Sequence, residues 1–206
     1  VAWEYQRRRR AREERTRQAH PRIGGLLLAL RGAPQHESAF HRGELGEKAV
    51  AASLEQRTGD APTILLHDRR MPSGRGNIDH LAIAPAGVFV IDAKNISGKV
   101  RVTRPILGTP KLLIDGRDRT KLIDGLDRQV AAVRDGLAAS GHPDAPVHGV
   151  LCFTTAELPL LATLKMRGHL LLYRKALAKR LNAKGLLDAA AVDALARALA
   201  AALPPA

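Results

Sequence analysis

Two carboxylates and one ammonium in the stretch GNIDHLAIAPAGVFVIDAKN, residues 76–95, have the types and spacing to act on a charged substrate. Residues 78–83 and 88–93 are rich in β-branched and aliphatic side chains and read as two strands. Between them, Ala84-Pro85-Ala86-Gly87 carries proline at the second turn position and glycine at the fourth, as a type I turn prefers. A hairpin loop of that length pairs Ile83 with Val88, Leu81 with Val90 and Asp79 with Asp92. Side chains alternate between faces, so Asp79, Leu81 and Ile83 share one face with Val88, Val90, Asp92 and Lys94. Like charges directly opposed on paired strands repel. A cation between Asp79 and Asp92 is the simplest remedy.

Two helices must bring further groups to this hairpin. The first is expected from residue 38 or 41 to residue 56. At 3.6 residues per turn, Glu47 falls with Val50 and Leu54, while Glu44 falls with Lys48 and Glu55. A glutamate on an apolar face has to be paired, neutralised or bound to metal; the plainer alternative for Glu47 is a surface ion pair. The second helix, residues 121–139, shows an apolar stripe of Leu122, Leu126, Val133 and Leu137 with Gln129 inside it. A buried amide needs partners, so Gln129 is either a satisfied core residue or part of an active-site wall.

Taken in order, Gly43-Glu44-Leu45-Gly46-Glu47, Asn77-Ile78-Asp79-His80 and Val90-Ile91-Asp92-Ala93-Lys94-Asn95 resemble the nuclease-related domain (NERD) family, a branch of the PD-(D/E)XK nuclease superfamily. The resemblance covers residues 42–104 and continues more loosely through the helix around Gln129. It implies an Asp opening one strand, an Asp-x-Lys closing the next, and a helical Glu completing the site. Those positions are Asp79, Asp92-Ala93-Lys94 and Glu47. No proline precedes Asp79; Ile78 stands there, as is usual for the nuclease-related domain. Members of the superfamily often place a glutamine in the helix after the Asp-x-Lys strand, which sets a functional role for Gln129 level with the structural one. The implied fold is α/β, a PD-(D/E)XK restriction-endonuclease-like core with a mixed sheet of about five or six strands and helices on both faces.

The implied activity is metal-dependent hydrolysis of phosphodiester bonds, with DNA as the expected partner. Such a reaction needs an activated water, neutralisation of the phosphoryl charge and a stabilised leaving oxygen. One or two Mg²⁺ ions, held by few carboxylates and several waters, can supply these. Asp79 and Asp92 are the expected ligands, Glu47 a third direct or water-mediated one, and the Ala93 carbonyl a fourth. Lys94 would orient the attacking water or stabilise charge, its proton affinity lowered by the nearby metal. Oxygen donors of this kind select Mg²⁺ or Mn²⁺ over zinc. A DNA-binding or regulatory module of the same fold, without efficient cleavage, is the alternative.

Composition agrees with a polyanionic partner. Lysine and arginine number 33 against 20 aspartates and glutamates, a net charge of +13 in 206 residues. With aromatics at 3%, a surface built on base stacking is not expected. The lone Cys152 excludes an internal disulfide framework and a cysteine-based zinc site, and it reads as a small buried hydrophobe. Residues 24–30, GGLLLAL, fall far short of the ~20 apolar residues that span a bilayer, and a cytoplasmic protein is expected. Oligomeric state is not legible.

The chain divides into a basic arm or helix over residues 1–35, which includes Arg7-Arg8-Arg9-Arg10, and a nuclease-related domain over residues 36–206 with its core at 42–153. Further strands are expected at 63–67, 98–103, 111–114, 147–153 and 168–173, and C-terminal helices at 174–181 and 188–203. Residues 68–76 read as a basic loop. His67 and His80 are not placed convincingly as ligands; His80 should point away from Asp79 into the core or behind the site.

Overall fold

The computed structural model of the chain describes residues 35–206 apart from 60, 73–75, 107 and 160–162, with side chains described from residue 43 onward. Residues 1–34 of the expected basic arm lie outside the described residues, and residue 35 already opens the first helix. In chain order the elements are α1 (Gln35–Arg57), β1 (Ile64–Arg70), β2 (Asn77–Ala84), β3 (Gly87–Lys94), β4 (Gly98–Thr103), β5 (Lys111–Ile114), β6 (Arg117–Asp118), α2 (Lys121–Ala139), β7 (Val147–Phe153), β8 (Ala156–Glu157), β9 (Leu164–Met166), β10 (His169–Tyr173), α3 (Arg174–Leu181) and α4 (Ala189–Ala202). Among the described residues, no helix is long and apolar enough to cross a membrane.

The main sheet has six strands in the order β1-β2-β3-β7-β10-β9. The hairpins β1–β2 and β2–β3 are antiparallel, β3, β7 and β10 run parallel, and β9 is antiparallel to β10. Parallel strands need a crossover, and α2 supplies the one from β3 to β7. A smaller sheet, β6-β5-β4-β8, follows the hairpin. The expected α/β class with a mixed sheet flanked by helices is therefore present.

Alternation along β2 and β3 sorts the core into two layers. Leu81, Ile83, Val88 and Val90 pack with Ile123, Leu126, Val130, Val133 and Leu137 of α2 and with Leu195 and Leu199 of α4. Ala82, Phe89, Ile91 and Ala93 face the other way, against Val50 and Leu54 of α1 and Leu177 and Leu181 of α3. The buried stripe of α2 thus starts at Ile123 rather than Leu122, and Gln129 sits half-buried at its edge. Cys152 lies in the α1 layer, where burial pushes its thiol up to about 12. It is the inert hydrophobe expected.

β1 runs on to Arg70, through residues that read as loop, because distant chain closes over its outer edge. The Arg70 amide donates to the Pro204 carbonyl, and the Ala206 amide donates to the Asp68 carbonyl. Buried Arg69 donates from Nε to the Leu203 carbonyl at 2.7 Å and from Nη2 to the Ala200 carbonyl at 3.0 Å. Its charge thereby caps the C-terminal end of α4, where helix carbonyls are left without partners.

Candidate active site

The site forms where β2 begins and β3 ends. The ladder pairs Ile83 with Val88, Leu81 with Val90 and His80 with Ile91. It also adds Ala84 with Gly87, one pair more than the turn residues suggest, and leaves only Pro85 and Ala86 outside. Gly87 makes this possible: at a φ of 126° it adopts backbone that other residues rarely enter, and a Cβ there would lie 2.7 Å from the Pro146 carbonyl.

Past His80 the two strands interact through a side chain. The Ala93 amide donates to Asp79 Oδ2 at 2.8 Å. Lys94 Nζ donates to Asp92 Oδ1, on the same face two residues back. Both carboxylates therefore have a partner within the protein, and the cation beside Asp92 is the protein's own.

α1 crosses the end of β3 and brings Glu47 with it. Gly46 is buried against Asn95, the residue after Lys94; a Cβ on Gly46 would come within 2.8 Å of Asn95 Cβ. Val50 and Leu54, on the same helix face, anchor the following turns. Glu44 is tied instead to Lys48 at 2.7 Å. Glu47 enters the field of Lys94, Asp92 and Asp68, and Asp79 in turn feels Glu47.

Asp68 is an acid that the sequence pattern does not disclose. It sits at a φ of 46°, in left-handed backbone where Asp is among the few tolerated types, and it accepts from Asn77 Nδ2 at 2.9 Å. Gln129 approaches the same corner from the opposite layer. Its Nε2 donates to the Asn77 carbonyl at 3.3 Å, while its Oε1 is buried with no partner among the described residues.

Electrostatics follow from this crowding of acids. Burial, then the charge of Asp92, raises Asp79 well above the ordinary carboxyl range, although Lys94 and the Ala93 amide act the other way. Burial and Asp68 raise Glu47. For Lys94, burial alone would lower the value, but the charges of Asp92 and Asp79 outweigh it and keep the ammonium protonated above its usual range. That direction is opposite to the lowering expected beside a metal ion, because carboxylates are the neighbours present here.

Behind Asp79, on the α1 face, His80 pairs with His67 across β1 and β2, Nδ1 to Nδ1 at 2.8 Å, so only one of the two rings can hold that shared proton. Burial and the neighbouring His67 push His80 down to about 4. Its Nε2 makes no hydrogen bond of normal geometry, although the Glu47 carbonyl lies near enough to favour the charged ring. His80 does point away from Asp79, into the layer beneath Glu47.

Among the described residues, no three His, Cys, Asp or Glu side chains converge as a group that could hold a metal ion. The donors that do meet are oxygens, with Asp79 and Asp92 at their centre. Such a set suits Mg²⁺, which is commonly bound by one or two carboxylates and completes its shell with water. It does not suit a closed protein cage.

A mixed sheet with helices on both faces, an Asp-x-Lys at the end of a central strand and a glutamate delivered by the preceding helix define a nuclease-related α/β domain. The chain belongs to the nuclease-related domain family: the match spans residues 42–154, more than half of its 206 residues. No curated protein and no solved structure matches it.

Proposed function

We propose that the protein is a metal-dependent nuclease that hydrolyses phosphodiester bonds, in DNA before other nucleic acids. The observation that supports this most is the meeting of Asp79, Asp92, Lys94 and Glu47 at one end of β2 and β3, with Asp79 raised by burial, Asp92 and Glu47, and Glu47 raised by burial, Asp68 and Asp92. A fold that served only to pack would gain nothing from burying like charges together. The strongly basic composition suits a polyanion.

In this reading Asp79 and Asp92, with the Ala93 carbonyl and Glu47 directly or through water, hold Mg²⁺ or Mn²⁺. The bound ion supplies charge neutralisation at the phosphate and an acidified water. The chain's own groups do the rest. Asp79 is fixed by the Ala93 amide, so its free oxygen is presented to the site. The Lys94 ammonium, held on Asp92, is a charged donor beside the position of a phosphoryl oxygen as negative charge grows on it. Gln129 braces the start of β2 through the Asn77 carbonyl, and its Oε1 is buried without a partner among the described residues.

The alternative is a DNA-binding module that cleaves weakly or not at all. It is favoured by two features: the lack of a converging ligand triad among the described residues, and the closure of Lys94 onto Asp92. Cleavage rates at saturating Mg²⁺ for Glu47→Gln and Glu44→Gln discriminate between them. Glu47→Gln should slow cleavage by at least about tenfold, or roughly 1.4 kcal/mol of transition-state stabilisation, and Glu44→Gln should change it little. Equal rates for both variants and the wild type would remove Glu47 from the machinery.

A further inference from the structure

A cleft of about 350 Å³ opens beside the site, between α1 and the start of α3. Its walls include Ser53, Arg57, Thr154, Tyr173, Arg174 and Lys175, and no carboxylate lines it. Thr154 joins it to the site: its amide donates to the Lys94 carbonyl at 3.1 Å and its hydroxyl to Asn95 Oδ1 at 2.9 Å.

Three features of this cleft suit an anion. Ser53 is 8% exposed and stands on the cleft wall, where its hydroxyl is a donor available to a ligand oxygen. α3 begins there with no side-chain cap on its first turn, so backbone N–H groups and the positive end of the helix dipole face the opening. Arg57, Arg174 and Lys175 add three cations. Arg174 is steadied by a bond from Nη1 to the Ala49 carbonyl at 3.3 Å. Asn182 Nδ2, bonded to the Arg57 carbonyl at 2.6 Å, fixes the end of α1 against α3. The basic wall continues past Lys179 along the same groove.

We infer that this cleft is a phosphate subsite, which grips a phosphate of the nucleic-acid strand flanking the one presented to Asp92 and Lys94. Ser53 Oγ and the first N–H groups of α3 donate to its oxygens, and Arg57 and Lys175 balance its charge. The inference rests on the nucleic-acid substrate proposed above, but it concerns binding and can be tested without cleavage.

The test is equilibrium binding of a fluorescein-labelled oligonucleotide to the full chain in chelator, over a series of salt concentrations. Arg57→Gln/Lys175→Gln should weaken binding and flatten the slope of log affinity against log salt by about 0.7–0.9 for each phosphate that is no longer neutralised. The charge-matched pair Arg134→Gln/Arg197→Gln, on the exposed sides of α2 and α4, should keep the wild-type slope. Ser53→Ala, a change any helix accommodates, should weaken binding about tenfold with the slope unchanged. A wild-type affinity and slope in both cleft variants would overturn the inference. The two readings fail separately: a protein that never cleaves yet loses salt dependence in the cleft variants retains the subsite without the nuclease. One that cleaves with unaltered binding in those variants retains the nuclease without the subsite.

Discussion

Replacing Asp79 by asparagine should stabilise the folded protein at pH 8, because the site buries charges that oppose one another. Asp79 and Asp92 are not a ladder pair, since the β2–β3 ladder ends at His80 with Ile91, but they stand on the adjoining ends of the two strands and Asp79 feels the charge of Asp92; neighbouring side chains on such strands lie ~5 Å apart. Two unit charges at that distance in an effective dielectric of ~20 repel by about 3 kcal/mol. Lys94, bonded to Asp92, offsets much of this. A net cost of about 1–2 kcal/mol is left, within the range by which active-site substitutions commonly stabilise proteins. Asparagine keeps an oxygen to accept from the Ala93 amide and turns an N–H toward Asp92. The folded-state carboxyl of Asp79 is raised, so its stabilising contribution is complete below pH 3.8 and is lost as pH rises through the raised value. The advantage of Asp79→Asn should therefore be small near pH 4 and largest at pH 8, where it should raise Tm by about 3–6 °C. Urea unfolding of both proteins at pH 4.5, 6 and 8 in chelator measures it. A variant less stable than wild type at pH 8, or an advantage independent of pH, would refute the reasoning.

Two further outcomes follow from the same corner. Gly46→Ala should push α1 from Asn95 and displace Glu47; it should cost about 1–3 kcal/mol in urea unfolding, as overpacking does, and lower cleavage with it, whereas Gly43→Ala, with open space around it, should cost neither. His80, depressed to about 4 from 6.5, contributes stability that is complete above pH 6.5 and is lost as pH falls through about 4. His80→Asn should remove up to about 3 kcal/mol of that acid sensitivity, read as the difference between the two proteins' unfolding free energies at pH 7 and 4.5.

Much of this site was legible because it depends on local rules. Alternation and the Pro85–Gly87 turn set the hairpin register, and with it the common face of Asp92 and Lys94. Helical phase separated Glu47 from Glu44. The boundaries of α2, β4, β5, β7 and α3 follow from periodicity alone. What escaped depends on distant chain. Residues 68–70 are polar and read as loop, but residues 204–206 pair with them and extend β1, which places Asp68 beside Glu47. β6 and β8 have two residues each and β9 has three, too few to carry a pattern. The His67–His80 pair needed the β1–β2 register, and the cleft at Ser53 exists only because α3 docks against α1.

The central claim is most directly tested by incubating the wild type and Asp92→Asn with a panel of single-stranded, double-stranded and branched DNA and RNA, with Mg²⁺ or Mn²⁺ and with excess chelator. The account predicts cleavage by the wild type only when the divalent ion is present, and none by Asp92→Asn, which should still bind the same substrate as tightly or more tightly. Cleavage that persists in chelator or in Asp92→Asn, or binding without cleavage by the wild type across the whole panel, would contradict it.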